Sequence, residues 1–273
     1  MSLYILKLGG SIITNKETSE FSVQKERITN IAKHLHKALK KQEDMQLIII
    51  HGAGGPGHHL AHKYNLRDGT GSDSKRLHGA LLSRLVNQKL NTEIFDIFAN
   101  NNVPVIPTHT GSLITQTDKK ITTFHTDIIK SALNNNYIPL IYGDMVFDDS
   151  LGLSICSGDT SAAYLAKNLP VNKVLFATDT DGIFNKDPHK NADAKLLENL
   201  SLKDIFTQDN IKLDSSHNTD VTDGIKGKLH AFEDFSKKQT TLEEIIVFNG
   251  TTPQKFEDVL NNVNCKATYI KTN

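Results

Sequence analysis

Residues 47–59 read Leu-Ile-Ile-Ile-His-Gly-Ala-Gly-Gly-Pro-Gly-His-His, and this stretch decides the predicted fold class. Its apolar start has the length and the β-branched content of a buried strand. A loop with four glycines follows, and a helical pattern continues through Leu60. A strand, a glycine loop and a helix in this order direct backbone N–H groups and the positive end of a helix at an anion. The stretch therefore predicts an anion-binding loop in an α/β protein, with His58 and His59 where the helix begins.

The glycine spacing in this loop, at residues 52, 54 and 57, also fits the dinucleotide-binding fingerprint. That fingerprint requires a second strand that ends in an acidic residue roughly 20 residues further on. Residues 68–74 instead read Asp-Gly-Thr-Gly-Ser-Asp-Ser, a polar loop with no strand pattern before it. Phosphate binding is therefore the favoured interpretation, and dinucleotide binding and a purely structural turn are the alternatives.

The chain has 273 residues with 31 basic and 31 acidic side chains, so its net charge predicts neither a nucleic-acid partner nor a membrane partner. Cys156 and Cys265 are too few for a disulfide framework and favour a reducing, cytoplasmic compartment. The apolar run near the N-terminus is too short for a signal peptide, and no apolar run approaches the length of a membrane span. The composition thus indicates a globular protein of the cytoplasm.

Apolar runs and helical periodicity alternate along the chain. Strands are predicted over residues 4–8, 47–50, 103–107, 138–142, 174–177, 244–248 and 267–270, with a hairpin over 145–156 and a β-rich excursion over 111–124. Helices are predicted over 23–41, 75–99, 126–134, 222–235 and 253–262, and a further helix starts directly after residue 159. Residues 11–16 are predicted as a polar loop, and residues 201–223, which are polar and weakly patterned, as a mobile or exposed stretch. This alternation is typical of an α/β sheet that binds ligands at the carboxyl ends of its strands.

Several further loops carry residues suited to phosphate chemistry, each directly after a predicted strand or before a predicted helix. They contain Lys7 with Gly9, Gly10 and Ser11; Gly143; Gly158 with Asp159; Asp179 with Asp181 and Gly182; and Gly224 with Lys228. Each also has an ordinary structural explanation. Lys7 could be a solvated lysine at a strand end, Asp159 a capping or dipole-compensating residue of a helix, and Asp181 part of an acidic turn. Taken singly, none of these loops decides the function.

In this order, however, the loops strongly resemble those of the amino acid kinase family. Residues 7–16 (Lys-Leu-Gly-Gly-Ser-Ile-Ile-Thr-Asn-Lys), 51–58, 143–148 and 220–228 most resemble the isopentenyl phosphate kinases within it, and fosfomycin kinases are similar in the histidine that ends the glycine loop. The resemblance covers nearly the whole chain. It implies an open αβα sandwich with a central, mostly parallel sheet and helices on both faces. Residues 1–170 would form an acceptor-binding and dimerising lobe, and residues 171–273 an ATP-binding lobe on the same continuous sheet.

The resemblance also implies a role for each of these positions. Four residues would act in catalysis: Lys7, Lys16, His58 and Asp159. The acceptor would bind at Gly10, Gly54, Gly55, Gly57, His58, Gly143 and Gly158, and the nucleotide at Lys7, Gly9, Ser11, Asp179, Asp181, Gly182, Gly224 and Lys228. Asp159 would organise Lys7 and Lys228 around the phosphates. The implied cofactors are ATP and Mg²⁺. No metal-ligating residues of the protein are implied. The implied assembly is a homodimer.

The chemistry of phosphoryl transfer agrees with these residue types. Two polyanions must be brought together, so charge cancellation and in-line placement dominate the catalysis. An acceptor that is itself a phosphate is ionised at neutral pH and requires no general base. His58 then suits a donor that holds the acceptor phosphate, whereas His51 is predicted to be structural and His59 to face solvent.

The expected reaction is transfer from ATP to a small phosphate monoester, with isopentenyl phosphate as the leading acceptor. Residues 75–80 read Lys-Arg-Leu-His-Gly-Ala, which is polar where an isoprenoid tail would favour apolar neighbours. Two alternatives therefore stay open. One is a kinase of another small molecule, such as a phosphonate of the fosfomycin type, and the other is a non-catalytic, ligand-sensing member of the same fold.

Overall fold

The computed structural model describes residues 2–15, 21–207, 224–233, 235 and 241–272, with the side chains of residues 224–226 outside this description. The strands are β1 (Ser2–Leu8), β2 (Met45–His51), β3 (Val105–Pro107), β4 (Ile114–Thr117), β5 (Lys120–Phe124), β6 (Ile138–Tyr142), β7 (Asp144–Asp148), β8 (Gly152–Cys156), β9 (Val171–Thr178), β10 (Asn199–Ser201), β11 (Glu244–Asn249) and β12 (Ala267–Lys271). The helices are α1 (Gly10–Ile13), α2 (Lys25–Lys41), α3 (Gly54–Lys63), α4 (Ser74–Asn100), α5 (Thr110–Leu113), α6 (Thr126–Asn134), α7 (Gly158–Asn168), α8 (Leu202–Thr207), α9 (Gly224–His230) and α10 (Gln254–Leu260).

The larger sheet has the strand order β10-β12-β11-β9-β1-β2-β6-β3. Strand β1 lies at its centre and pairs in parallel with both β2 and β9. Parallel pairing continues from β2 to β6 and β3 and from β9 to β11, and β12 is antiparallel to β11. The predicted central, mostly parallel sheet is confirmed. One continuous sheet also runs across both of the predicted lobes.

Helices cover both faces of this sheet, because successive side chains of each strand point to opposite faces. Ile5 of β1 belongs to one buried apolar cluster together with Leu165 of α7. Leu6, the next residue, belongs to the other cluster, together with Leu35 of α2 and Phe256 of α10. The two clusters are the two cores of an αβα sandwich, as predicted.

The carboxyl ends of the parallel strands lie along one edge of the sheet, and glycines follow several of them directly. Gly9 donates its backbone N–H to the Ala177 carbonyl at 2.9 Å, and Gly52 donates to the Leu8 carbonyl at 3.0 Å. Gly143 continues the series by donating to the His51 carbonyl at 3.1 Å. The sheet therefore brings the loops that follow β1, β2 and β6 side by side.

Some local predictions were wrong. Residues 11–13 belong to the helical turn α1 instead of a loop, since the Thr14 N–H bonds back to the Gly10 carbonyl. The excursion predicted over 111–124 opens with the helical turn α5 before its two strands. Residues 201–207 form the end of β10 and α8, because Leu202 and Ile205 are buried apolar residues. The rest of that stretch, 208–223, which was predicted to be mobile or exposed, lies outside the described residues.

The start of α3 also differs from the prediction. This helix begins at Gly54, so His58 lies in its second turn. Pro56 is tolerated as the third residue, because N–H groups in the first turn of a helix have no intrahelical partner. Among the described residues no helix is long and apolar enough to cross a membrane.

A smaller sheet with the order β5-β4-β7-β8 is organised by the buried carboxylate of Asp148. The carboxylate accepts hydrogen bonds from the backbone N–H groups of Asp118, Lys119, Ser150 and Leu151 and from the Ser154 hydroxyl, at 2.8–3.1 Å. Burial alone would raise the pKa of Asp148, but these donors lower it below its usual value. One side chain thus holds two turns together.

Asp148→Ala is expected to lower the free energy of unfolding by about 3 kcal/mol, because it removes the hydrogen bonds to an ionised carboxylate that join the two turns and leaves the buried Ser154 hydroxyl without this partner. Urea denaturation at pH 7 measures this, and Asp149→Ala, which removes a neighbouring exposed carboxylate, is the matched control. The native pKa of Asp148 is depressed, so its contribution is present above the unfolded pKa and is lost as the pH falls below about 4. Equal denaturation midpoints for wild type and Asp148→Ala would contradict this account.

Candidate active site

The carboxylate of Asp159 lies between two lysines at the carboxyl edge of the sheet. Its Oδ1 is 3.0 Å from the Nζ of Lys7 on β1, and its Oδ2 is 3.4 Å from the Nζ of Lys228 on α9. All three side chains are largely buried, with 7% of the Asp159 side chain exposed. The structure thus brings together three predicted site residues that are far apart in the sequence.

The two lysines keep this buried carboxylate ionised. Burial alone would raise the pKa of Asp159, but the charges of Lys228 and Lys7 hold it at about 2. An isolated buried carboxylate would be too costly, whereas one that is paired and hydrogen-bonded can stay charged. Two ammonium groups against one carboxylate leave this cluster with one excess positive charge, which suits it to attract a phosphate.

Helix capping does not account for Asp159. The N-cap of α7 is Ser157, whose hydroxyl oxygen accepts the Thr160 N–H at 3.0 Å. Asp159 is the second residue of the helix, where a negative charge also favours the helix dipole. Neither capping nor the helix dipole explains why the Asp159 carboxylate contacts Lys7 and Lys228.

The glycines of the three neighbouring loops allow backbone to pack directly against backbone. A Cβ atom on Gly10 would lie 3.0 Å from the Cα of Gly54, and one on Gly143 would lie 3.1 Å from the backbone nitrogen of Gly158. These distances are shorter than ordinary carbon contacts, so larger residues would push the loops apart. Four glycines that were predicted to bind the acceptor, Gly10, Gly54, Gly143 and Gly158, therefore allow these loops to pack closely together.

The histidines of the glycine loop fall into three different environments. His51 is fully buried, donates from Nδ1 to the Gly52 carbonyl at 2.9 Å and stacks on Tyr142. Burial lowers the pKa of His51 to about 4, so it is neutral at physiological pH. His58 is half-buried on α3, and His59 is exposed. The predictions of a structural His51 and a solvent-facing His59 are confirmed.

The acidic turn after β9 is held by lysines of the C-terminal part of the chain. The carboxylate of Asp181 is 2.8 Å from the Nζ of Lys255 and 2.9 Å from the Nζ of Lys266. Burial opposes ionisation, but hydrogen bonds from Lys255 and Lys266 lower the pKa of Asp181 to about 2. Asp179 is exposed at the end of the strand. Nucleotide binding by this turn stays a prediction, since Asp181 already has two cationic partners.

The remaining predicted residues are placed as follows. Gly9 follows β1, and Gly10 and Ser11 lie in α1. Gly182 has a φ of 155°, and a Cβ there would clash with the Thr268 hydroxyl oxygen. Gly224 begins α9, the helix that carries Lys228. Lys16 lies outside the described residues.

A polar stripe on α4 was not recognised from the sequence. Asn87 is buried and donates from Nδ2 to the Gly143 carbonyl at 3.1 Å. The Oδ1 of Asn91, which is also buried, lies 3.2 Å from Nε2 of His51. The Nε of Arg84 lies 3.5 Å from Oδ2 of Asp144. Burial raises the pKa of Asp144 to about 6, although the charge of Arg84 acts to lower it. Arg84, Asn87 and Asn91 are polar residues three and four positions apart in a helix with many apolar residues. This spacing was the signal in the sequence that could have identified them.

Comparisons with known proteins agree with this geometry. The sequence pattern of the amino acid kinase family matches residues 2–249, which is most of the chain. The chain belongs to the amino acid kinase family. It is 30% identical over 274 residues to the isopentenyl phosphate kinase of Methanothermobacter thermautotrophicus, and the match covers 98% of both chains. It is 33% identical over 232 residues to the isopentenyl phosphate kinase of Methanocaldococcus jannaschii, covering 83% of this chain and 85% of that enzyme.

A solved structure extends the similarity to three dimensions. An isopentenyl phosphate kinase known from X-ray structures superposes with a TM-score of 0.82 at 26% identity, covering 98% of this family member and all of that chain. The shared arrangement thus includes the whole sandwich rather than the glycine loop alone.

Proposed function

We propose that this family member is an ATP-dependent kinase that transfers the γ-phosphoryl group to a small phosphate monoester, with isopentenyl phosphate as the acceptor. The observation that carries the proposal is the Lys7–Asp159–Lys228 cluster at the carboxyl edge of the sheet, beside the glycine loop. The isopentenyl phosphate kinases that match almost the full length of the chain support this choice of acceptor.

Electrostatics explain how this cluster would promote the transfer. Donor and acceptor phosphates repel each other, and preorganised cations lower the energy of the transition state most where water is excluded. Lys7 would contact the transferred phosphate and Lys228 the nucleotide phosphates. Asp159 would hold both ammonium groups in place and prevent them from repelling each other before the substrates bind.

The acceptor would be held by the glycine loop and His58. The loop follows β2 and lies against Gly10 and thus against the turn after β1, so an anion bound there would be close to Lys7. His58 would donate a hydrogen bond to the acceptor phosphate. No side chain has to become a covalent nucleophile, since the attacking oxygen belongs to an ionised phosphate.

Mg²⁺ fits this site as a companion of ATP. The described residues include no group of three or more His, Cys, Asp or Glu side chains that could hold a metal ion. Mg²⁺ in kinases commonly takes phosphate oxygens and water with one or two carboxylates, and Asp179 would hold a metal-bound water here. Once bound, Mg²⁺ would cancel charge on the nucleotide phosphates.

We also propose the lobe division, with residues 1–170 binding the acceptor and residues 171–273 binding ATP, in a cytoplasmic homodimer. The ion pair between Asp159 and Lys228 would join these two lobes across the site. Three exposed leucines of α4 support dimerisation through the first lobe, because 44–54% of the surface of Leu77, Leu81 and Leu85 is exposed. Their spacing of four residues places them on one face of the helix.

Lys228→Ala is expected to lower kcat/KM for ATP about 10²-fold with every acceptor, because the variant lacks a cation at the nucleotide phosphates. Steady-state kinetics with ATP as the varied substrate measure this. Lys167→Ala, which removes an exposed lysine of α7, is the matched control. A loss confined to one acceptor would argue against the nucleotide-side role of Lys228.

The proposed reaction is tested by ADP release with a panel of acceptors. Isopentenyl phosphate is expected to give turnover well above buffer, and fosfomycin and N-acetylglutamate are expected to give much less. The acceptor assignment fails if fosfomycin is the better substrate. Binding of ATP without turnover of any acceptor would instead indicate a non-catalytic, ligand-sensing protein.

A further inference from the structure

The hydroxyl of Thr14 connects two loops that face each other in the proposed site. It donates a hydrogen bond to the Gly10 carbonyl at 2.9 Å and accepts one from the Gly55 N–H, also at 2.9 Å. Gly10 belongs to the turn after β1, and Gly55 belongs to the glycine loop after β2. Thr14 itself is 1% exposed, so its side chain is shielded from bulk water.

The rest of the Thr14 residue fixes the same two loops. Its backbone N–H also donates to the Gly10 carbonyl, at 3.0 Å. Gly54 has a φ of +68°, and a Cβ atom there would lie 2.6 Å from the Thr14 methyl carbon and 2.7 Å from the hydroxyl oxygen. The glycine loop thus adopts a conformation that requires glycine, and it does so where Thr14 touches it.

These contacts change the interpretation of Gly55. Gly55 was predicted to contribute to acceptor binding, and in the structure its N–H donates to Thr14. A backbone N–H with a well-aligned protein acceptor is a weak candidate for a ligand contact. Gly55 therefore serves to hold the loop, and the acceptor phosphate would use other groups of the loop together with His58.

We propose that Thr14 is a positioning residue, whose hydroxyl sets the spacing between the turn after β1, the strand that carries Lys7, and the glycine loop that would hold the acceptor. This inference rests on the proposed kinase function. In-line transfer requires the reacting atoms to be about 3–3.5 Å apart, and a misplacement of about 1 Å can cost about 10²-fold in rate. A buried hydroxyl with one bond to each loop is suited to maintain such a distance.

The experiment compares Thr14→Val with Thr14→Ser. Valine keeps the shape and burial of threonine but removes the bridge and leaves the Gly55 N–H without its acceptor. Serine keeps the bridge and removes only the methyl group. Steady-state kinetics with ATP and isopentenyl phosphate, nucleotide affinity measured with a fluorescent ATP analogue, and thermal unfolding are recorded for all three proteins.

Thr14→Val is expected to lower kcat/KM for isopentenyl phosphate about 10²-fold while ATP affinity stays within about threefold of wild type. Thr14→Ser is expected to retain most of the activity. A purely structural role predicts instead a lower Tm with unchanged kinetics of the folded fraction, which would overturn the proposal. Equal activity of Thr14→Val and wild type would also overturn it.

Two further results keep the test decisive. If Thr14→Val does not fold, Thr14→Ala replaces it, and activity equal to that of Thr14→Ser would reject the bridge. If wild type itself does not turn over isopentenyl phosphate, the proposed function has failed. The bridge is then tested by amide hydrogen exchange of the glycine loop, which should become faster in Thr14→Val but not in Thr14→Ser; equal exchange in all three proteins would reject it.

Discussion

Asp159→Asn is expected to lower turnover about 10³-fold with every acceptor, while the protein stays folded. The substitution keeps the shape of the side chain but removes the charge that pairs with Lys7 and Lys228. The two ammonium groups would then repel each other in a buried site and move away from the phosphates. The loss of a preorganised group of this kind costs about 10²–10³, and here two cations are displaced at once.

The matched control is Asp127→Asn, which removes the acidic residue in the first turn of α6. Both substitutions weaken compensation of a helix dipole, but only Asp159→Asn disturbs the lysines. Purified variants are compared by steady-state kinetics with two different acceptors and by circular dichroism. Turnover near that of wild type in a folded Asp159→Asn protein would show that Asp159 only stabilises its helix.

His58→Ala is the second substitution with a large expected effect, a loss of about 10²–10³ in turnover of isopentenyl phosphate. The reason is removal of the donor that would hold the acceptor phosphate on the glycine loop. ATP affinity is expected to stay close to that of wild type, because the nucleotide would be held mainly by Lys228 and the later segments. Initial rates with each substrate varied in turn separate the two effects.

His59→Ala provides the control, because it removes a neighbouring histidine that faces solvent on the same helix. It is expected to leave both kinetic constants unchanged. Unimpaired transfer by His58→Ala would count against the assigned role. An equal loss in His58→Ala and His59→Ala would indicate a general disturbance of α3 instead.

The regular parts of the fold were predictable from local sequence. The apolar run that forms β2 ends at His51, and the apolar run that forms β6 ends just before Gly143. Helix α6 was predicted with its observed bounds, Thr126–Asn134. Short turns such as α1 were missed, because four residues are too few to show a helical period.

The site was predictable only in part, since its contacts join distant segments. Asp159 and Lys228 are 69 residues apart, and no local pattern shows that their side chains meet. The pairing of Asp181 with Lys255 spans 74 residues and changes the expected environment of that carboxylate. The Thr14 bridge requires both glycine loops to be in place. Resemblance to a family located Asp159, Lys228 and Asp181, but only the folded chain shows what their side chains touch.

The most direct test of the phosphoryl-transfer assignment follows the γ-phosphate of ATP. The protein is incubated with Mg²⁺, isopentenyl phosphate and ATP labelled with ³²P at the γ-position, and the products are separated by chromatography. The label is expected in isopentenyl diphosphate, in an amount equal to the ADP formed, and Asp159→Asn is expected to abolish most of it. Label found only in inorganic phosphate, or no label transfer above a reaction without protein, would contradict the account.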